Sequence, residues 1–331
     1  MNTFGRLFRI SLFGESHGDG VGVTIDGCPA GVAVDMGDFV SDLSRRKSGA
    51  KGTTPRIEKD EPEIISGVYN GFTTGSPITI LFANKNTRSA DYDFSKKPRP
   101  GHADFVANRK FNGFNDPRGG GHFSGRLTLG IVAAAVLAKK ILKGISINAT
   151  LKQAGGMDNI EQAIDKALLQ GDSIGGLVEC IISGLPVGLG EPFFDSVESL
   201  ISHAVFAIPA IKGIEFGSGF KAAEMFGSEH NDSFEDKHGK TSTNYAGGIN
   251  GGITNGNDIV FRVAVKPTSS ISKPQETFDF DSNKLSTLQI KGRHDACIAL
   301  RVPVVLEAVA AIVITDLLLI HRSTQPFALK D

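Results

Sequence analysis

Apolar and polar positions along the chain mark a mixed set of strands and helices. Residues 8–12 alternate and predict a strand that runs into a glycine loop at Gly14, and residues 21–25 predict its partner. Residues 64–69 and 78–83 also read as strands. Asp35 is placed as the N-cap of a helix passing Asp38 and Leu43 and ending in the Arg45-Arg46-Lys47 cluster, where cations complement the helix dipole. A run of Ala, Val, Ile and Leu over 128–142 predicts a buried helix. It is expected to follow a tri-glycine segment directly, with its N-terminus facing whatever that segment binds. Strands are expected over 145–151, 177–182 and 259–265, and helices over 160–169 and 304–320. Strands and helices mix without a regular βαβ rhythm, which points to the α+β class rather than a doubly wound sheet.

Composition narrows the picture. A chain of 331 residues with 40% hydrophobic content can bury a full core. Length alone suggests about two domains, but no low-complexity linker, tandem repeat or long charge run divides the chain. A net charge of -1 argues against a broad nucleic-acid footprint, so the basic residues act locally. Cys28, Cys180 and Cys297 are widely spaced and form no CxxC pair, so neither a zinc site nor a disulfide framework is expected, and no metal ligands are assigned. Residues 1–12 carry no signal-peptide pattern. The apolar stretch 302–320 is interrupted by Pro303, Glu307, Thr315 and Asp316, and reads as a buried helix rather than a membrane span. The expectation is a cytoplasmic protein with no nucleic-acid or membrane partner.

Candidate chemistry sits in six glycine- and polar-rich segments. They are GESHG (14–18), RPGHAD (99–104), RGGGHFSGR (118–126), GGINGG (247–252), KPTSS (266–270) and GRHD (292–295). Glycine lets backbone amides approach a ligand. Arg and Lys supply charge for a phosphate, and His supplies a proton near neutrality. Taken singly, most of these segments have plain readings. His17 and His102 sit in turns, Asp104 caps a helix, and His294-Asp295 forms a surface ion pair. The segment 118–126 is stronger, because three glycines followed by Ser124, Arg126 and a helix suit an anion. It lacks the ending of a P-loop and the spacing of a dinucleotide fold. Together the segments suggest one large site for phosphorylated ligands, assembled from the whole chain.

In this order the segments resemble the chorismate synthase family, from Phe4-Gly5 to the last helix. Arg45-Arg46-Lys47, PVGLGEP (186–192) and Lys212-Gly213 support the match. The family's glycine loop often continues Arg-Ser-Ser-Ala-Arg, whereas here it reads His122-Phe123-Ser124-Gly125-Arg126. The stretch 157–171 is shorter than in many members, and Lys51 and Arg56 only approximate basic residues placed there in relatives.

The resemblance implies a single α+β domain over 1–331, with antiparallel sheets packed on helices, assembled as a homotetramer. It implies conversion of 5-enolpyruvylshikimate 3-phosphate to chorismate and phosphate by 1,4-anti elimination, with reduced FMN as cofactor. His17 matches the proton donor to the leaving phosphate, His102 the histidine beside the reduced flavin, and Asp295 the carboxylate that relays a proton. FMN is expected at His122, Phe123, Ser124, Pro209, Ala210, Gly251, Lys266, Pro267, Thr268, Ser269, Ser270 and Arg293. Substrate or NADP contacts are expected at Ser16, Arg45, Arg46, Arg99 and Arg126. The flavin is reduced either by NADPH in the chain itself or by an external flavin reductase. The lack of a separate dinucleotide-binding segment favours the latter.

Two rival readings differ in class. A metal-dependent phosphohydrolase would use His294 and Asp295 with further His and Asp ligands. A non-catalytic flavin-binding module would keep the fold without turnover, although His17, His102 and Asp295 are all present.

Overall fold

The computed structural model describes residues 2–54, 59–85, 94–290 and 294–324. Two antiparallel sheets form its outer layers. In the first, β1 (Thr3–Phe4), β2 (Arg9–Gly14), β3 (Gly20–Asp26), β7 (Ile78–Ala83) and β4 (Glu63–Ser66) lie side by side in that order. In the second the order is β10 (Ile211–Phe216), β13 (Ile259–Val265), β9 (Gly176–Ser183) and β8 (Ser146–Ala154). Three short hairpins stand apart: β5 (Val68–Tyr69) with β6 (Phe72–Thr73), β11 (Ile249–Asn250) with β12 (Ile253–Thr254), and β14 (Gln275–Asp279) with β15 (Lys284–Leu288). The α-helices are α1 (Val40–Arg46), α2 (Asp104–Lys110), α3 (Thr128–Ile141), α4 (Ile160–Gln170), α5 (Val197–Val205), α6 (Gly227–His230) and α7 (Val302–Ser323).

The core lies between the sheets. Helix α3 packs on β3 and β7, α7 packs on β8 and β9, and the two helices pack on each other. Both are buried over most of their circumference because each is covered on opposite sides, by a sheet and by the other helix. One continuous cluster of buried side chains runs from Phe8 to Leu318. Antiparallel sheets packed on helices meet the α+β expectation.

The polar residues that interrupt α7 are anchors. Glu307 takes a two-pronged ion pair from Arg45 (2.6 and 2.7 Å) and the amide of Ala149 (3.0 Å). Thr315 donates to the carbonyl of Ala138 on α3 (3.3 Å). Asp316 accepts from the backbone amides of Arg6 (2.9 Å), Leu7 (2.7 Å) and Phe8 (2.8 Å). A buried carboxylate is tolerated only with such partners. Helix α7 is long and apolar enough to cross a membrane, but most of that stretch is buried inside the chain, as a core helix is.

Local differences from the sequence expectation have physical causes. The strand expected over 64–69 is two strands. Gly67 breaks it with a φ of +81°, and a Cβ there would lie 2.5 Å from Ile78. The helix announced by Asp35 begins as a 3₁₀ turn, Met36–Phe39, before α1. Its cap is as expected: the Asp35 carboxylate accepts from Gly37 (2.7 Å), while Asp38 reaches back to the Asp35 amide (2.7 Å). The tri-glycine segment does not feed α3 directly, because 3₁₀ turns at Arg118–Phe123 and Gly125–Leu127 intervene.

All three cysteines are free and buried. Burial pushes the Cys28 thiol up to about 11 and raises those of Cys180 and Cys297.

Candidate active site

The site is built where the loops after β7 and β13 meet β1, β2, the glycine loop and the inner face of α7. A cavity of about 850 Å³ opens there. Leu127, Ile131, Val309 and Ile312 form part of its apolar wall. Arg99, His102, Lys266, Ser269 and Asp295 are among the polar groups that line it.

The turn before α2 is held by one carboxylate. Asp104 Oδ2 accepts from the backbone amide (3.0 Å) and Nε (2.8 Å) of Arg99, and Oδ1 accepts from Arg99 Nη2 (2.8 Å) and His102 Nδ1 (2.6 Å). Burial works to raise the Asp104 carboxyl, but the hydrogen bonds from Arg99 and His102 prevail and hold it far below the usual carboxylate range. Arg99 also donates to Ser270 (3.1 Å) and lies over the ring of Phe94, 4.3 Å from its centroid. Arg99 therefore lines the cavity with its guanidinium already engaged by protein.

Lys266 closes β13. Its ammonium donates to the carbonyl of Gly101 (2.9 Å) and to Ser269 (2.8 Å), and Ser269 donates to the same carbonyl (2.8 Å). Among the described residues no carboxylate pairs with Lys266, and burial and the nearby Lys212 cation lower its pKa. Thr268 Oγ1 is buried without a hydrogen-bond partner. At the same wall Ala210 holds a φ of +75°, a conformation a residue with a Cβ adopts only under local constraint, and its carbonyl accepts from the Lys266 amide (2.9 Å).

The glycine loop separates two histidines. A Cβ on Gly119 would stand 2.5 Å from Cδ2 and Nε2 of His17, and one on Gly120 would stand 3.5 Å from Cε1 of His102. Gly121 has room for no side chain, because the Asp116 carbonyl would be 2.0 Å away. All three have positive φ, so glycine is required by conformation as well as by space. Ser16 donates its amide to Gly121 (3.1 Å), and Asn84 Nδ2 donates to the carbonyls of Glu15 (3.0 Å) and Gly18 (2.8 Å). These bonds fix the loop that carries His17, which is itself buried.

Behind the cavity floor two arginines share one acid. Asp60 accepts from Arg46 (3.2 Å) and Arg126 (3.0 Å), and Arg126 Nε donates to Asn84. Arg46 also donates to Thr128 (3.3 Å) and to the carbonyl of Gly125 (3.4 Å), both of which line the cavity. Burial, with the Arg301 cation, brings the Arg46 pKa down to about 10, which leaves it charged at neutral pH.

His102, Asp295, His122, Phe123, Ser124, Pro209, Ala210, Lys266, Pro267, Thr268, Ser269, Ser270 and Arg99 all line the cavity. Ser16, His17, Arg46 and Arg126 do not line it but sit on the far side of the glycine loop or beneath the floor. Arg45 is directed to Glu307, and Gly251 lies in the turn between β11 and β12, outside the cavity lining. Arg293 and Arg56 lie outside the described residues. Asp295 accepts from the amide of Thr54 (2.8 Å), and Arg301 Nη1 stands 3.6 Å from its other oxygen. Sequence reasoning missed Asp60 and Asn84, which carry no local motif and gain meaning only from partners distant in the chain. It placed Asp104 as a helix cap, whereas its carboxylate binds Arg99 and His102. Among the described residues no three His, Cys, Asp or Glu are grouped as metal ligands.

Residues 8–319 match the family profile described as chorismate synthase. A chorismate synthase of Chitinophaga pinensis is 64% identical over 330 residues, covering 99% of this chain and 99% of its own. A chorismate synthase of Thermococcus gammatolerans is 44% identical, covering 96% of this chain and 98% of its own. A crystal structure of a chorismate synthase superposes with a TM-score of 0.75 at 28% identity, over 96% of this chain and 93% of that one. Likeness of this extent in both sequence and fold settles the kinship: the chain belongs to the chorismate synthase family, and its activity is that family's carbon–oxygen lyase reaction.

Proposed function

We propose that the cavity holds reduced FMN and that 5-enolpyruvylshikimate 3-phosphate binds between it and the arginines beneath its floor. The observation that carries this reading is the glycine loop, with His17 against one glycine and His102 against the next. Apolar walls suit a flat ring system. Lys266, without a carboxylate partner among the described residues, and the Ser269 hydroxyl suit the cofactor's phosphate.

The reaction breaks the bond from a ring carbon to the phosphate oxygen and a C–H bond at another ring carbon, and it forms a new C=C bond. When bound in this cavity, reduced flavin would lend an electron that assists departure of the phosphate and would take it back as the hydrogen leaves, so that no net oxidation occurs. Arg46 and Arg126 offset the substrate's negative charge, held in place by Asp60. His17 donates a proton to the leaving phosphate, a role suited to an imidazole near neutral pH. His102 faces the cofactor, and Asp295 relays the proton taken from the ring carbon. Arg99 acts by holding Ser270 and, through the Asp104 carboxylate, His102 in place rather than by contacting substrate.

We read the chain as a single domain, supported by the continuous buried cluster from Phe8 to Leu318, working in the cytoplasm as a homotetramer. An external flavin reductase, rather than NADPH bound to the chain itself, is assigned the reduction of FMN. Light scattering on the purified protein tests the tetramer.

The reaction is tested by anaerobic turnover of 5-enolpyruvylshikimate 3-phosphate with chemically reduced FMN. Chorismate and phosphate are expected in equal amounts, with neither formed on oxidised FMN. Phosphate without chorismate would overturn the proposed reaction.

A further inference from the structure

His102 has two ring nitrogens, and among the described residues only Nδ1 has a hydrogen-bond partner. Nδ1 is 2.6 Å from Asp104 Oδ1 and 3.1 Å from Arg99 Nη2. A guanidinium has only donors. Nδ1 therefore either carries a proton and donates to the carboxylate, or has a lone pair and accepts from Arg99. The second option would set that lone pair against an ionised carboxylate oxygen at 2.6 Å. Asp104 is ionised at neutral pH, since the bonds from Arg99 and His102 prevail over the effect of burial on it. Only the first option is consistent, and Arg99 Nη2 donates to the shared Oδ1 instead (2.8 Å). In the neutral ring Nε2 then keeps its lone pair. Among the described residues no hydrogen bond is made to Nε2, and His102 lines the cavity.

We infer that Asp104 is a positioning residue that fixes His102 as the Nδ1–H tautomer, so that Nε2 can take up a proton at the cavity and return it. The inference rests on the reading of His102 as a proton-handling group. Asp104 itself touches neither substrate nor cofactor in this arrangement. Among the described residues its carboxylate is the one acid group hydrogen-bonded to the ring, while the Arg99 cation stands beside it. The same carboxylate binds Arg99, whose Nη1 reaches Ser270, so the ring is oriented relative to the loop after β13 as well.

The substitution Asp104→Asn separates charge and tautomer from shape. Its single amide oxygen is claimed by the Arg99 fork, which has only donors to offer. The amide nitrogen then faces Nδ1 and donates to it. The ring is forced to the opposite tautomer, with Nε2–H toward the cavity, where it can no longer accept a proton.

The test is ¹⁵N NMR of the histidine side chains in the full-length protein, wild type and Asp104→Asn, with His102 assigned by its loss in His102→Gln. The expected result is Nδ1–H in the wild type, Nε2–H in the variant, and turnover with reduced FMN lowered about 10²-fold or more. Nε2–H in the wild type would overturn the inference outright, even if the variant fails to fold. An unchanged tautomer with lost turnover would also overturn it, leaving Asp104 only a scaffold for Arg99. A switched tautomer with unchanged turnover would sink the reading of His102 as a proton-handling group, and the proposed positioning role with it.

Discussion

The imidazole of His17 lies against Gly119, so closely that a methyl group on Gly119 would stand 2.5 Å from Cδ2 and Nε2 of the ring. The substitution Gly119→Ala therefore moves the histidine or the loop. It also places a side chain at a φ of +61°, which costs about 1–2 kcal/mol in its own right. Turnover should fall by roughly 10²-fold, the value of one proton-transfer group. Steady-state rates checked beside a denaturation curve test this. Wild-type turnover in a folded variant would mean that His17 does not depend on this contact.

Arg45 and Arg46 are neighbours in sequence with separate tasks. Arg45 reaches Glu307, whose side chain is 4% exposed, while Arg46 reaches Asp60 beneath the cavity. Arg45→Ala should lower stability by roughly 2 kcal/mol, because it strips a buried carboxylate of its main partner. It should leave the substrate KM in place. Arg46→Ala should raise KM. Thermal unfolding and steady-state kinetics of the two variants separate these effects, and a raised KM for Arg45→Ala would return that residue to the substrate site.

Asp60 is the one carboxylate bonded to both Arg46 and Arg126 among the described residues. Asp60→Asn leaves those cations short of negative charge. The variant should be less stable alone and should gain more in Tm than wild type on adding inorganic phosphate, by ligand linkage. Equal gains in both proteins would show that the arginine pair is not an anion site.

The Asp104 carboxyl has a folded-state pKa below its unfolded one, since the Arg99 and His102 bonds prevail over burial. A depressed carboxyl contributes stability that is present above the unfolded value, near 3.9, and lost as pH falls through the folded value. The stability gap between wild type and Asp104→Asn should therefore hold from pH 7 to about 5 and narrow below about 4. Urea midpoints across this range test the sign. A gap that widens in acid would contradict the ionised clasp.

Alternation and apolar runs were enough to place β2, β3, β7, β8, β9, β13, α3, α4 and α7, because each buries a face whose period is written in the chain. Strands β10, β14 and β15 escaped notice. Their burial is only partial, and their pairing depends on partners elsewhere in the chain. The cavity residues were legible mainly through family motifs. The histidines, Lys266 and the glycine loop sit in short, recognisable segments. Asp60 and Asn84 do not, since each acts by bridging groups that the fold brings together from far along the chain. The polar interruptions of α7 signalled burial correctly, but Asp316 could not be matched to the amides of residues 6–8 without the fold.

That last contact spans almost the whole chain and orders the events of synthesis. Three amides at the start of the chain, on Arg6, Leu7 and Phe8, find their acceptor only in Asp316, more than 300 residues later. During translation the first sheet can pair its strands, yet the turn between β1 and β2 stays unfinished until α7 emerges. An interrupted product lacking α7 would expose both the unmet amides and the apolar face of α3, and would be a natural substrate for chaperones and proteases.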